Sequence, residues 1–244
     1  MSNPILNNRF LEGERVLDGE PMTVNGAINK TLIMLALVII AAAYTWSLVF
    51  GGFMDKAFML GTIGAVAGFI LALIICFTGG KTAPYLSPLY AVCEGLFVGG
   101  ISALFESQYS GLVIQAVAAT FASAFAMLIL YRTNVIKCTE KLRAVIFTAT
   151  LSVALIYVIQ IVANLFDRGI PQIFTSSPIG IVFSVIVVAI AALNLILDFD
   201  FIERGAENYL PKNYEWMGAF GLTVTLVWLY IEMLKLLAKF ADRN

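Results

Sequence analysis

Apolar residues in this chain neither alternate nor recur only along one helical stripe. They fill continuous runs separated by short polar breaks. Seven such runs lie at 31–50, 57–77, 86–105, 111–131, 144–166, 178–198 and 216–237. At 1.5 Å of rise per residue, a run of about twenty residues matches a hydrocarbon layer of roughly 30 Å. The breaks are made of turn formers and charges: Gly51-Gly52 before Asp55-Lys56, Thr78 to Lys81, the basic stretch 132–143, and the connection opening Asp167-Arg168-Gly169-Ile170-Pro171. The pattern predicts an all-α polytopic membrane protein with seven transmembrane helices. A transmembrane β-barrel would instead show alternating segments of roughly ten residues.

Three parts follow from the pattern: a polar N-terminal head over 1–30, a seven-helix transmembrane domain over 31–240, and a short tail over 241–244. The head lacks the basic start and prompt apolar region of a secretory leader. Its last residues, 24–30, are expected to begin the first helix. The longest internal polar stretch is 199–215, too short for a separate soluble domain, so one helical bundle is expected.

Composition agrees with the pattern. Of 244 residues, 60% are hydrophobic and 13% charged, where a soluble domain carries about 25% charged. The formal net charge of −1 selects no partner, and no basic tract points to nucleic acid. Seven spans put the termini on opposite sides. Arg9, Arg15, Lys30, Lys81, Arg132, Lys137, Lys141, Arg143, Arg204 and Lys212 then share the N-terminal side, leaving Lys56, Arg168 and the basic tail residues Lys235, Lys239 and Arg243 for the other. That asymmetry favours a cytoplasmic N-terminus and an outside C-terminus. Cys76, Cys93 and Cys138 are too widely spaced for a metal motif and read as packing residues. Histidine is absent, so any response near neutral pH falls to shifted carboxylates or a cysteine.

Small residues mark expected helix contacts. Gly64 and Gly68 stand in GxxxG spacing, as do Gly95 and Gly99, and Gly221 lies on a small face of the last span with Gly218 and Thr225.

The acids at the end of the sixth run carry the chemistry. The stretch 191–203 reads AALNLILDFDFIE and holds Asp198, Asp200 and Glu203. Helical spacing places Ser184, Ala191 and Asp198 on one side with Asn194 beside them. Glu232 interrupts the last run in WLYIEMLKLL. An acid near hydrocarbon is expensive without a partner, a proton, an ion or water. Two readings of Glu232 stand: an intrahelical pair with Lys235 near the surface, or an interior carboxylate coupled to Asp198. Coupled carboxylates hold their first shared proton more tightly, and the ionised pair attracts a hard divalent cation. Asp200 and Glu203 read as a hydrated helix end or a cation entrance, and Glu94 as a pore-lining acid or a satisfied structural one. No fixed metal site is expected, only transient cation contacts at Asp198 and Glu232.

The order of MTVNGAINKT, SPLYAVCEGLFVGGISALFE, LNLILDFDFIERGAE and AFGLTVTLVWLYIEMLKLLAKF resembles the Bax inhibitor-1 family, in its bacterial YccA-like and Bax-inhibitor-like branches. The resemblance implies a seven-helix bundle with a central seventh helix, in a bacterial inner membrane. It also implies a pH-sensitive calcium leak in which an acid pair joins the sixth and seventh helices. Asp198 takes the sixth-helix position and Glu232 the seventh, where the family more often has aspartate. If the last helix begins at Trp216, Glu232 lies about 24 Å along it. Direct contact with Asp198 then needs a later start, a tilt, or a non-membrane stretch at its beginning.

Three functions are separable. The first is a passive pH-gated cation pathway with calcium as the transported ion and no cofactor, or a proton-coupled exchanger in its place. The second is a stress adaptor that binds a membrane-protein partner through residues 1–30. The third, an intramembrane hydrolase, is disfavoured: the chain lacks YD and GxGD motifs, a metal site and a Ser/His arrangement. The oligomeric state is left open.

Overall fold

A computed structural model describes residues 20–166 and 171–243. Most of the expected N-terminal head (1–19, with Arg9 and Arg15), the turn at 167–170 with Arg168, and the tail residue 244 lie outside the described residues.

Seven long helices follow in order: α1 (Val24–Phe50), α2 (Met54–Thr78), α3 (Ala83–Gln108), α4 (Leu112–Arg132), α5 (Glu140–Leu165), α6 (Pro178–Glu207) and α7 (Tyr214–Ala241). A single helical turn, Pro171–Phe174, precedes α6. All seven are long and apolar enough to cross a membrane, so the chain is an all-α, seven-span membrane protein. Phe58, Phe77, Ile40 and Ile114 stand exposed within these spans, as side chains facing lipid rather than water would.

Local chemistry sets the ends. Thr23 caps α1 by accepting from the Gly26 amide at 3.0 Å, and Thr139 caps α5 by accepting from Leu142 at 3.2 Å. Gly52, at φ 82°, takes the left-handed turn between α1 and α2. α3 begins at Ala83, ahead of the expected 86, because Pro84 sits in its first turn where no intrahelical N–H is needed. α6 runs nine residues beyond its expected end at Asp198. Its last turns hold an Asp200–Arg204 ion pair at (i, i+4) spacing, which offsets the polar sequence within the helix.

The chain divides into two compact units. The first joins the described part of Met1–Leu104 to Asp198–Val224. Here α3 lies against both α1 and α2. A Cβ at Gly95 would stand 2.5 Å from the Val38 carbonyl oxygen, and one at Gly99 2.3 Å from that of Ala42. On the other side, a Cβ at Gly64 would meet the Cys93 carbonyl oxygen at 2.4 Å. These glycines let backbones approach to a distance any side chain would prevent. Met22, Ala27, Ile202, Leu210 and Tyr214 form a buried cluster. Over it the segment before α1 is strapped to the α6–α7 loop. Met22 donates its amide to the Leu210 carbonyl at 2.7 Å and Lys212 donates to that of Glu20 at 3.2 Å, forming an isolated antiparallel bridge at Pro21 and Pro211.

The second unit comprises Phe105–Leu197 with the described part of Thr225–Asn244. Asn194 on α6 donates to Thr150 on α5 at 2.8 Å. Tyr157, Phe174 and Phe183 form an aromatic trio with centroids 5.8–6.5 Å apart. Of the seven spans α7 is the most buried, at 56% of its apolar window against 11–39% for the others.

Candidate functional site

In the first unit, α6 and α7 run antiparallel: Ile202 faces Gly218 and Asp198 faces Gly221. A Cβ at Gly221 would stand 3.1 Å from Asp198 Oδ1, so the carboxylate occupies room that the missing side chain leaves. Asp198 is half-buried. Asp200 is 6% exposed; its Oδ1 accepts from Arg204 Nε at 3.0 Å, and its Oδ2 lies 2.9 Å from the same nitrogen in the ion pair. It is therefore a buried, paired acid inside a helix and not a hydrated helix end. Glu203, one turn on from Asp200, is half-buried. Glu94 on α3 lies over α2, where a Cβ at Gly68 would be 3.3 Å from its Oε2. The Tyr90 hydroxyl bonds Glu94, while the Tyr90 ring meets Phe220 edge-on at 5.0 Å.

A fifth acid in this unit, Glu215, escaped the sequence reading because it falls in the stretch taken as a polar connection. α7 begins at Tyr214, earlier than expected, which rules out the later start considered above. Glu215 sits in its first turn at 1% exposure. Its Oε1 accepts from the Thr23 amide and hydroxyl, both at 2.9 Å, and its Oε2 pairs with Lys30. A carboxylate in a first helical turn also gains from the local dipole.

In the second unit, Glu232 is 1% exposed. The Tyr157 hydroxyl, from α5, lies 3.0 Å from each carboxylate oxygen. Lys235 donates to Oε1 at 2.9 Å and holds its ammonium 4.7 Å from the Tyr157 ring centre. Glu232 is thus interior and pairs with Lys235 along its own helix. Tyr157 was the missed partner; its only trace in the sequence is a hydroxyl in the middle of an apolar run. Lys239, read as a basic tail residue, is instead 8% exposed.

Outside the spans, Asp242 accepts from Ser176 Oγ at 2.5 Å and from the Tyr109 hydroxyl. Those bonds hold its carboxyl below the usual aspartate range and raise the Tyr109 hydroxyl. Glu20 and Lys212 likewise hold each other charged.

The expected acids therefore fall in two places. Asp198, Asp200, Glu203 and Glu94 belong to the first unit, and Glu232 to the second. Asp198 lies against α7 at Gly221, and Glu232 stands on α7 itself. Among the described residues no group of three or more His, Cys, Asp or Glu is arranged to hold a metal ion. A family model described as Bax inhibitor 1 like matches residues 3–242. No curated protein matches the chain.

Proposed function

The chain belongs to the Bax inhibitor 1-like family, and on that premise we propose that it is a passive, pH-sensitive cation leak pathway with calcium as its ion. The family is one of non-catalytic membrane proteins, and this is a multi-pass member. The observation that supports a proton-dependent step most is Glu232, a carboxylate 1% exposed in the most buried span. Its ionised form is held by Tyr157 and Lys235, so gaining a proton removes the charge that Lys235 answers. Asp198, pressed against Gly221, is the second titrating position. Protonated, Asp198 sits quietly in a closed packing; ionised, it demands solvation and attracts hard cations, which favours opening. Glu94, Asp200 and Glu203 serve as the acids along the route. The basic-residue asymmetry supports a cytoplasmic N-terminus in a bacterial inner membrane, and the motif order supports the YccA-like branch.

Calcium flux into liposomes holding the purified protein, at pH 6 and pH 8, tests this. Flux should be greater at pH 8, and a D198N/E232Q variant should lose the difference. An unchanged pH response in that variant overturns the role of the two acids.

A second reading, an adaptor that binds a membrane-protein partner, draws on the strap from Glu20 to Met22. Those residues are held against the loop between α6 and α7. A partner captured through residues 1–30 together with no liposome flux would favour it.

A further inference from the structure

Lysines in membrane helices usually run along the helix and leave their ammonium at the surface. Lys239 does not. It is 8% exposed, and its Nζ donates to the carbonyl oxygens of Ile173 at 3.1 Å and Gly180 at 3.0 Å and to Ser184 Oγ at 2.9 Å. An ammonium has three N–H donors, and each has one oxygen. The fold makes this arrangement deliberately available. Ile173 lies in the single turn Pro171–Phe174, too short to use its own carbonyls. Gly180 lies in the first turn of α6, where Ser177 Oγ accepts from its amide at 3.1 Å. Ser184 is one turn further on, 3% exposed.

Among the described residues, the charges acting on Lys239 are Glu232 and Lys235, both earlier on α7. They oppose one another in sign, and Glu232 already accepts from Lys235 and Tyr157. The charge of Lys239 is thus met directly by neutral oxygen dipoles.

We propose that Ile173 O, Gly180 O and Ser184 Oγ form a binding site for a small monovalent cation, in which the Lys239 ammonium is the built-in occupant. Neutral carbonyl and hydroxyl oxygens replace the hydration of a monovalent ion, as in channels lined by carbonyls. A divalent ion gives up its water chiefly to carboxylates, and none stands among the three ligands. The site does not depend on the leak pathway and is tested by binding alone.

Replacing Lys239 by alanine vacates both the ammonium position and the space of its stem. Ammonium chloride should then raise the thermal midpoint of K239A by about 3 °C or more at saturation, relative to choline chloride at equal ionic strength. Potassium should act in part and calcium should not. The wild-type protein, already occupied, should respond equally to ammonium and choline. So should K239M, whose stem fills the space. K239A/S184A, lacking one ligand, should need several-fold more ammonium. If K239A does not survive purification without added cation, the same comparison is read as recovered monodisperse protein with ammonium or choline present. Equal effects of ammonium and choline on K239A, or an equal ammonium response in K239M, overturn the site. A calcium response as large as that to ammonium overturns its monovalent class.

Discussion

The hydroxyl of Tyr157 reaches both carboxylate oxygens of Glu232, at 3.0 Å each, so one tyrosine on α5 satisfies a buried acid on α7 from one side while Lys235 does so from the other. Leaving a buried charge without a partner costs more than removing the charge itself. Tyr157→Phe should therefore destabilise by about 1–3 kcal/mol. Adding Glu232→Gln to it should recover part of that loss. Thermal unfolding of both singles and the double in detergent measures the coupling; strictly additive losses would show that the contact carries no energy.

Glycine positions separate by what a methyl group would meet. Gly99 and Gly64 have carbonyl oxygens 2.3 and 2.4 Å from an added Cβ, whereas Gly61 has nothing nearer than 3.8 Å. Gly99→Ala and Gly64→Ala should each cost about 1–3 kcal/mol through forced backbone shifts. Gly61→Ala should be neutral or slightly stabilising, since alanine is the better helix former. Thermal midpoints of the three variants make the comparison.

The Asp242 clasp sets a pH expectation with a definite sign. Its carboxyl is lowered by the bonds from Ser176 and Tyr109. The stabilisation is therefore complete above the ordinary aspartate value of about 3.9. It is lost as pH falls through the lowered folded value. Wild-type and Asp242→Asn proteins should differ in thermal midpoint by a constant amount from pH 6 to 8. They should converge toward pH 3. A difference that changes between pH 6 and 8 would contradict this and make Asp242 a rival to Glu232 as the sensor.

The seven spans were legible because continuous hydrophobic runs of the required length have few other physical uses. Helix ends were less so. The polar letters after Asp198 looked like a loop, yet Asp200 and Arg204 pair across one turn and let α6 continue to Glu207. The same assumption hid Glu215, whose partners Thr23 and Lys30 lie near the other end of the sequence. Spacing along one helix cannot reveal partners on another, and Tyr157 was missed for that reason. Lys239 was miscast because charge near a terminus suggests water, whereas its acceptors are backbone carbonyls, which no residue letter announces.

The strap over the first unit has a consequence for how the protein is made. Thr23 and Glu215 are 192 positions apart, so the entry of α1 cannot reach its final partners until nearly all of the chain has left the ribosome. At roughly 5–20 residues per second, that wait is on the order of 10–40 s. Through it Lys30 has no Glu215 to pair with and Met22 has no Leu210 to bond. Closure of the strap is thus among the last events of biogenesis, and a chain stalled before α7 leaves Thr23 and Lys30 without the carboxylate that ties them down.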